Sequence, residues 1–298
     1  MKMTIDRRFF LLAGAALASG CWARPGRDER RAAEGRIAVD FGPELAMLGP
    51  GGRLGVAALD VATGRRVGHD ENGRYAMCSS FKLPLAAAIL AEVEAGRLRL
   101  DQEIAFTRAD LLGNSPVVEA HLAQGRLPVE RLCAAAIEVS DNAAANLLLA
   151  RIGGPAGLTR FFRSAGDSIT RLDRNEPSLN TNLPGDPRDT SSPAAMVGLL
   201  RHLLLDDRLS RASRGRLIGW MEGATTGLAR LRAGLPAGWR AGDKTGTGNG
   251  ANVDLAISWP PGKGPILIAS FTDGREEDLA ARNPIHAAIA RKIAAALG

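Results

Sequence analysis

The sequence is poor in several residue types that often announce a function. Of 298 residues only three are Cys, four are His, 4% are aromatic, and five are Lys against 33 Arg. So few cysteines exclude a disulfide-stapled scaffold. His69, His121, His202 and His286 lie far apart, with no His-x-His or similar cluster, which disfavours a metal-dependent hydrolase. Scarce aromatics leave no stacking platform for nucleic acid. The net charge of +6 does not restore that reading, because the arginines are interleaved with acids along the whole chain and form no basic stripe. The mild positive charge suits a small anionic substrate instead. With 45% hydrophobic and 23% charged residues, the chain has the composition of a globular protein, neither disordered nor collagenous.

The first residues read as an address. Lys2, Arg7 and Arg8 precede the apolar run Phe9 to Ala18, too short to span a bilayer and followed by small residues, the anatomy of a cleaved secretory signal. Arg7-Arg8 before Phe9-Phe10-Leu11 looks like a twin-arginine leader. Two processing routes stay open: lipidation at Cys21, which would anchor the protein to a membrane, or cleavage after Ala23 without lipid. Either way residues 1–23 are an export signal, and the mature protein is periplasmic or secreted. Its removal takes Lys2, Arg7, Arg8 and Asp6 with it and leaves a net charge of +4. Cys78 and Cys133 then remain, expected as two unpaired, buried thiols.

Strand patterns lie at the two ends of the mature chain and helix patterns between them. Arg53 to Asp60 and Arg66 to His69 read as one hairpin, Asn252 to Trp259 and Ile266 to Thr272 as another. The intervening Ala/Leu-rich stripes, at Lys82 to Ala95, Pro116 to Ala123, Pro128 to Ile137, Asn142 to Ile152, Gly157 to Ala165, Pro193 to Leu205 and Ser210 to Glu222, read as helices, as does about Glu277 to Leu297. The expectation is one catalytic domain over residues 24–298, in which an α/β lobe (about 36–70 plus 222–298) carries an inserted all-helical lobe (about 71–221). The stretch Arg171 to Asp189, with three prolines and several Asn and Asp, cannot be regular, and loops of that length in compact domains are usually functional. A pairing of Arg174 with Asp189 would close it as an Ω-shaped loop.

Four constellations carry chemistry. In Ser79-Ser80-Phe81-Lys82, a helical turn puts the Lys82 amine beside the Ser79 hydroxyl, at a helix start whose N–H groups favour a developing oxyanion. For Lys82 to act as a base near neutrality, its surroundings must lower its pKa by about 3 from about 10.4, roughly 4 kcal/mol of bias. Ser140-Asp141-Asn142 opens a helix and reads either as an N-cap cluster or as a site. Lys244-Thr245-Gly246-Thr247-Gly248 reads either as a plain turn or as a strand edge that pairs with a substrate, with Lys244 neutralising a carboxylate. Glu176-Pro177, with Asn180, reads either as a solvated surface glutamate or as a held carboxylate that orients a water.

In this order, Ser-x-x-Lys, Ser-Asp-Asn, Glu-Pro-x-Leu-Asn and Lys-Thr-Gly, the set resembles the class A serine β-lactamases. The separations of 61 residues from Ser79 to Ser140, 36 to Glu176 and 68 to Lys244 fit that family's layout, as do Arg171-Leu172-Asp173-Arg174 and Arg188-Asp189-Thr190 around the loop. The resemblance runs from about residue 36 to the C-terminus and implies a two-lobed fold, an antiparallel sheet flanked by helices. It also implies hydrolysis of the β-lactam amide of penicillins or cephalosporins, giving antibiotic resistance, by a monomer without cofactor or metal. Ser79 would be the nucleophile, and the backbone N–H groups of Ser79 and Thr247 the oxyanion hole. Lys82, or Glu176 through a water, would take the serine proton. Ser140 would relay a proton to the leaving nitrogen with Lys244 tuning it, and Glu176, anchored by Asn180 and followed by a cis bond to Pro177, would activate the deacylating water. Asn142 would bind the substrate's side-chain amide, while Lys244, Thr245, Thr247 and Arg230 would receive its carboxylate.

Two departures leave the substrate range open. Where many members place an aromatic residue just before Ser115-Pro116, this chain has Asn114. Cys78 matches members that bridge the cysteine before the nucleophile to a residue that is Gly248 here, so that disulfide cannot form. Two alternatives share several of these motifs: a D,D-peptidase or penicillin-binding enzyme, and a β-lactam sensor that is acylated without turnover.

Overall fold

In the computed structural model, residues 35–274 and 279–298 are described, and Gly35–Gly298 forms one compact unit. In chain order the elements are α1 (Gly42–Ala46), β1 (Arg53–Asp60), β2 (Arg66–His69), β3 (Tyr75–Ala76), a 3-10 turn (Cys78–Phe81), α2 (Lys82–Glu94), β4 (Glu103–Ala105), α3 (Pro116–Ala120), β5 (Arg126–Pro128), α4 (Val129–Glu138), α5 (Asn142–Arg151) and α6 (Gly154–Ser164). After the irregular loop come β6 (Thr190–Ser191), α7 (Pro193–Leu204), α8 (Arg211–Glu222), α9 (Leu231–Gly234), β7 (Arg240–Gly248), β8 (Ala251–Trp259), β9 (Ile266–Asp273) and α10 (Asn283–Leu297). The main sheet has the order β2-β1-β9-β8-β7, antiparallel throughout, so both chain ends build it and the helices between are an insertion.

Strand alternation sends successive side chains to opposite faces, and here both faces are covered. Leu54, Val56 and Ala58 of β1 pack with Ile285, Ile289 and Ile293 of α10, whereas Ala57 and Leu59 join the large core of the helical side. That is why β8 and β9 are buried almost end to end and read as near-continuous apolar runs. Inside the helical side, α2 is buried from Lys82 to Leu90 on every face, as a central helix must be. Lys82 is thereby carried at the first position of a helix whose first nine residues are all buried.

Several expected boundaries move. The helix after Pro116 stops at Ala120, and the one expected from Gly157 already starts at Gly154. The terminal helix starts at Asn283 behind a 3-10 turn, Leu279–Arg282, and Glu277 lies outside the described residues. The Lys244 block is no turn: it is the second half of β7, the edge strand of the sheet.

Candidate active site

The site lies where β7 runs against the 3-10 turn bearing Ser79. Gly246 makes that approach possible, because a Cβ there would lie 2.5 Å from the Met77 carbonyl and 2.9 Å from the Ser80 nitrogen. From the first turn of α2, Lys82 Nζ meets five oxygens: Asn142 Oδ1 at 2.5 Å, the Ser140 carbonyl at 2.8 Å, Ser79 Oγ at 2.9 Å, Glu176 Oε1 at 3.1 Å and Ser140 Oγ at 3.3 Å. Ser79 in turn donates to Glu176 Oε1 at 2.6 Å. Nucleophile, amine and carboxylate therefore form one hydrogen-bonded triangle, with the lysine and glutamate side chains fully buried.

Ser140 Oγ stands between two amines, Lys82 and Lys244, the latter donating at 3.1 Å. Burial pushes both lysines below the ordinary range; for Lys244 the Lys82 charge adds to it, whereas for Lys82 the Glu176 charge opposes it. For Lys82 this is the direction that a base requires. The two readings of Ser-Asp-Asn divide between its residues. Asp141 is the N-cap of α5, accepting from Ala144 N at 2.9 Å and, through its other oxygen, from Val117 N and Val118 N. Its neighbours face Lys82.

The irregular loop is closed as expected: Arg174 Nε donates to Asp189 Oδ2 at 2.6 Å, and Asp189 Oδ1 accepts from the backbone of Asp173 and Arg174. The Asp189 carbonyl accepts from Met77 N, so the loop end is fastened next to the nucleophile turn. The Glu176–Pro177 bond is cis. Asn180 Nδ2 donates to Glu176 Oε2 at 2.6 Å, which makes Glu176 a held carboxylate and not a solvated one.

A family model described as a β-lactamase enzyme family matches residues 44–297. The chain is 42% identical to β-lactamase CTX-M-8 of Citrobacter amalonaticus over 85% of its own length and 88% of that protein, and 45% identical to β-lactamase AST-1 of Nocardia asteroides over 83% and 80%. Among solved structures, a last-common-ancestor class A β-lactamase of Gram-negative bacteria superposes with a TM-score of 0.83 at 53% identity, covering 87% of this chain and all of the other. The chain belongs to the class A serine β-lactamases.

In this β-lactamase the residues expected to receive the substrate carboxylate are arranged in two ranks. Thr247 is exposed, but Arg230 is 7% exposed and lies behind it: its guanidinium donates to Thr247 Oγ1 at 2.6 Å, to the Gly246 and Val253 carbonyls, and to Asn283 Oδ1. Arg230 thus points the Thr247 hydroxyl and adds positive field. Two further residues had no motif to announce them. Asn146, one helical turn beyond Asn142, donates to the Glu176 carbonyl and accepts from the Glu176 nitrogen, clamping that backbone. Thr226 shares a 2.7 Å hydroxyl contact with Thr245. The polar Asn at i+4 in an Ala/Leu-rich helix was the available signal for Asn146; for Thr226 there was none.

Both remaining cysteines are buried and unpaired, and burial pushes the Cys78 thiol up to about 12. Gly248 lies directly against it, since a Cβ there would sit 2.8 Å from Cys78 Sγ. Among the described residues, no three His, Cys, Asp or Glu side chains are placed to hold a metal, and no helix is long and apolar enough to cross a membrane.

Proposed function

We propose that the class A reaction, hydrolysis of the β-lactam amide that confers resistance, runs through Ser79 as nucleophile with Glu176 and Lys82 as its two proton partners. The observation that carries this is the triangle itself: Ser79 donates to Glu176 Oε1 at 2.6 Å while accepting from Lys82 Nζ at 2.9 Å. Ser79 Oγ attacks the lactam carbonyl carbon and its proton passes to the carboxylate, while the lysine N–H steadies the emerging alkoxide. The carbonyl oxygen, now negative, is received by the backbone N–H groups of Ser79 and Thr247. As the C–N bond breaks, Ser140 hands its proton to the leaving nitrogen and is reprotonated by Lys82, which takes back the proton held on Glu176, so that the glutamate is a carboxylate again.

Once esterified, Ser79 has no proton to give, and Glu176 Oε1 is released to accept from a water instead. Asn180 keeps Oε2 fixed, so the carboxylate stays aimed while the water attacks the ester, and the proton that Glu176 takes from the water returns to Ser79 Oγ as the C–O bond breaks. Lys244, Thr245 and Thr247 form the anion cradle for the substrate carboxylate, backed by Arg230, and Asn142 lines the side-chain pocket. The mature enzyme is read as one catalytic domain, exported by the leader and working as a monomer in the periplasm or outside the cell.

Glu176→Ala should accumulate a covalent adduct with a chromogenic cephalosporin, seen by intact mass, at less than one-hundredth of the wild-type turnover. Ser79→Ala should form none. Undiminished turnover by Glu176→Ala would remove the carboxylate from the mechanism, and the rate of adduct formation in that variant apportions acylation between Lys82 and Glu176.

A further inference from the structure

The cleft rim at Gly113–Ser115 is stitched to the loop that carries Ser140 and Asn142. Asn142 donates through its side chain to the Gly113 carbonyl at 2.7 Å and through its backbone to the Asn114 carbonyl at 2.9 Å. Ser115 Oγ accepts from Ala143 N at 3.1 Å. In the opposite direction Asn114 Nδ2 donates to the Ser140 carbonyl at 2.9 Å. Asn114 and Ser140 both have φ of +58°, a left-handed conformation that Asn tolerates and Ser adopts only under restraint.

The Ser140 carbonyl accepts from two donors, and they differ in kind. Lys82 Nζ reaches it at 2.8 Å, but that amine has at most three N–H bonds for its five neighbouring oxygens and exchanges protons during the reaction. Its hold on the carbonyl is therefore intermittent. The Asn114 amide takes no part in proton traffic and holds the carbonyl throughout.

We propose that Asn114 is a positioning residue for the proton relay: its side-chain amide, donating to the Ser140 carbonyl, keeps the left-handed Ser140 in place so that the hydroxyl stays between Lys82 and Lys244. A large aromatic side chain carries any donor it has at the far edge of its ring, not at the reach of the Asn114 amide, so the residue that departs from the family's habit has taken on a different task. The proposal depends on the reading of Ser140 as the relay, and its test separates the two.

Asn114→Gly keeps the left-handed backbone at no steric cost and deletes only the amide. With the purified enzyme and a chromogenic cephalosporin, kcat should fall about fivefold, the worth of one neutral hydrogen bond, while KM stays within twofold. Asn114→Asp, which also tolerates the backbone but sets an acceptor against the carbonyl, should lower kcat at least as far. In a Ser140→Ala background the same Asn114→Gly change should cost less than twofold, because the hydroxyl that it positions is gone. Wild-type kcat in Asn114→Gly, a rise in KM alone, or an equal loss in both backgrounds would each overturn the proposal. If Ser140→Ala itself left kcat untouched, the relay reading would fall instead.

Discussion

Two buried ionic clusters lie on opposite faces of β7, one residue apart. Lys244 looks toward Lys82, Glu176 and Ser140, while Asp243 looks the other way, toward Arg232 at 2.5 Å and toward Asp254. Asp243, Asp254, Lys82 and Lys244 are all fully buried. On one face burial pushes two lysines down, and on the other it pushes two carboxyls up. The physics is the same, but only the first cluster has hydroxyls interposed between its charges and an outlet to the cleft through Ser79. In the second, Asp254 accepts from Leu231 N, and Arg232 donates to the carbonyls of Met221, Glu222 and Ala224, so its charges tie loops together. In the proposed mechanism one cluster moves protons, while the other fastens the strand that presents Lys244.

That contrast breaks most sharply at Lys82. Lys82→Met keeps the volume and removes the amine, and kcat/KM should fall by on the order of 10²–10⁴. Stability should fall less than in the variant of the second cluster, because the buried cation no longer has to be desolvated and Glu176, left without it, still accepts from Ser79 and Asn180. A thermal melt in which Lys82→Met lost as much as a core cavity would make the first cluster structural too.

Asp243→Ala should do the reverse. It leaves the Arg232 guanidinium without its carboxylate, a loss of about 3–5 kcal/mol, which for a chain of this size is on the order of 10 °C in Tm. Activity per folded molecule should change far less than in Lys82→Met. A normal melt with a collapsed kcat would instead assign Asp243 to the catalytic face.

The unequal legibility of the two clusters in the sequence follows from this division. Ser79, Lys82, Ser140, Glu176 and Lys244 could be found because chemistry fixes residue type and spacing in short strings, and because a chain with five lysines makes each one conspicuous. The antiparallel sheet built from both chain ends was equally readable, since strand and helix periods differ. Asp243 and Asp254 had no such string: an acid within a strand pattern reads as a solvated face, and the cover of α9, through Leu231 and Arg232, makes it a buried pair. Arg230 was readable as a candidate carboxylate ligand, but its place behind Thr247 depends on four acceptors from three separate segments. Asn114 was legible as a missing aromatic residue and illegible as a hydrogen-bond donor, because its partner lies 26 residues away, beyond α3, β5 and α4.

The mildest probe of the second cluster is Asp254→Asn. Burial raises both carboxyls, and the Asp243 charge raises Asp254 further, which favours a proton on the pair; an amide mimics that form permanently. The carboxyls of the pair are raised in the folded state, so between about pH 4, where unfolded carboxyls titrate, and the raised value the folded protein binds more protons than the unfolded one. Stability drawn from the protonated pair is therefore fully present below pH 4 and lost as pH climbs through that window. Asn does not titrate and should escape the loss. Wild type and Asp254→Asn should melt alike near pH 5, and the variant should gain by pH 8 by on the order of 1 kcal/mol, about 2–4 °C. A difference in Tm that stayed constant from pH 5 to pH 8 would mean that the pair carries no extra proton, and that Arg230 and Arg232 alone balance two ionised carboxylates.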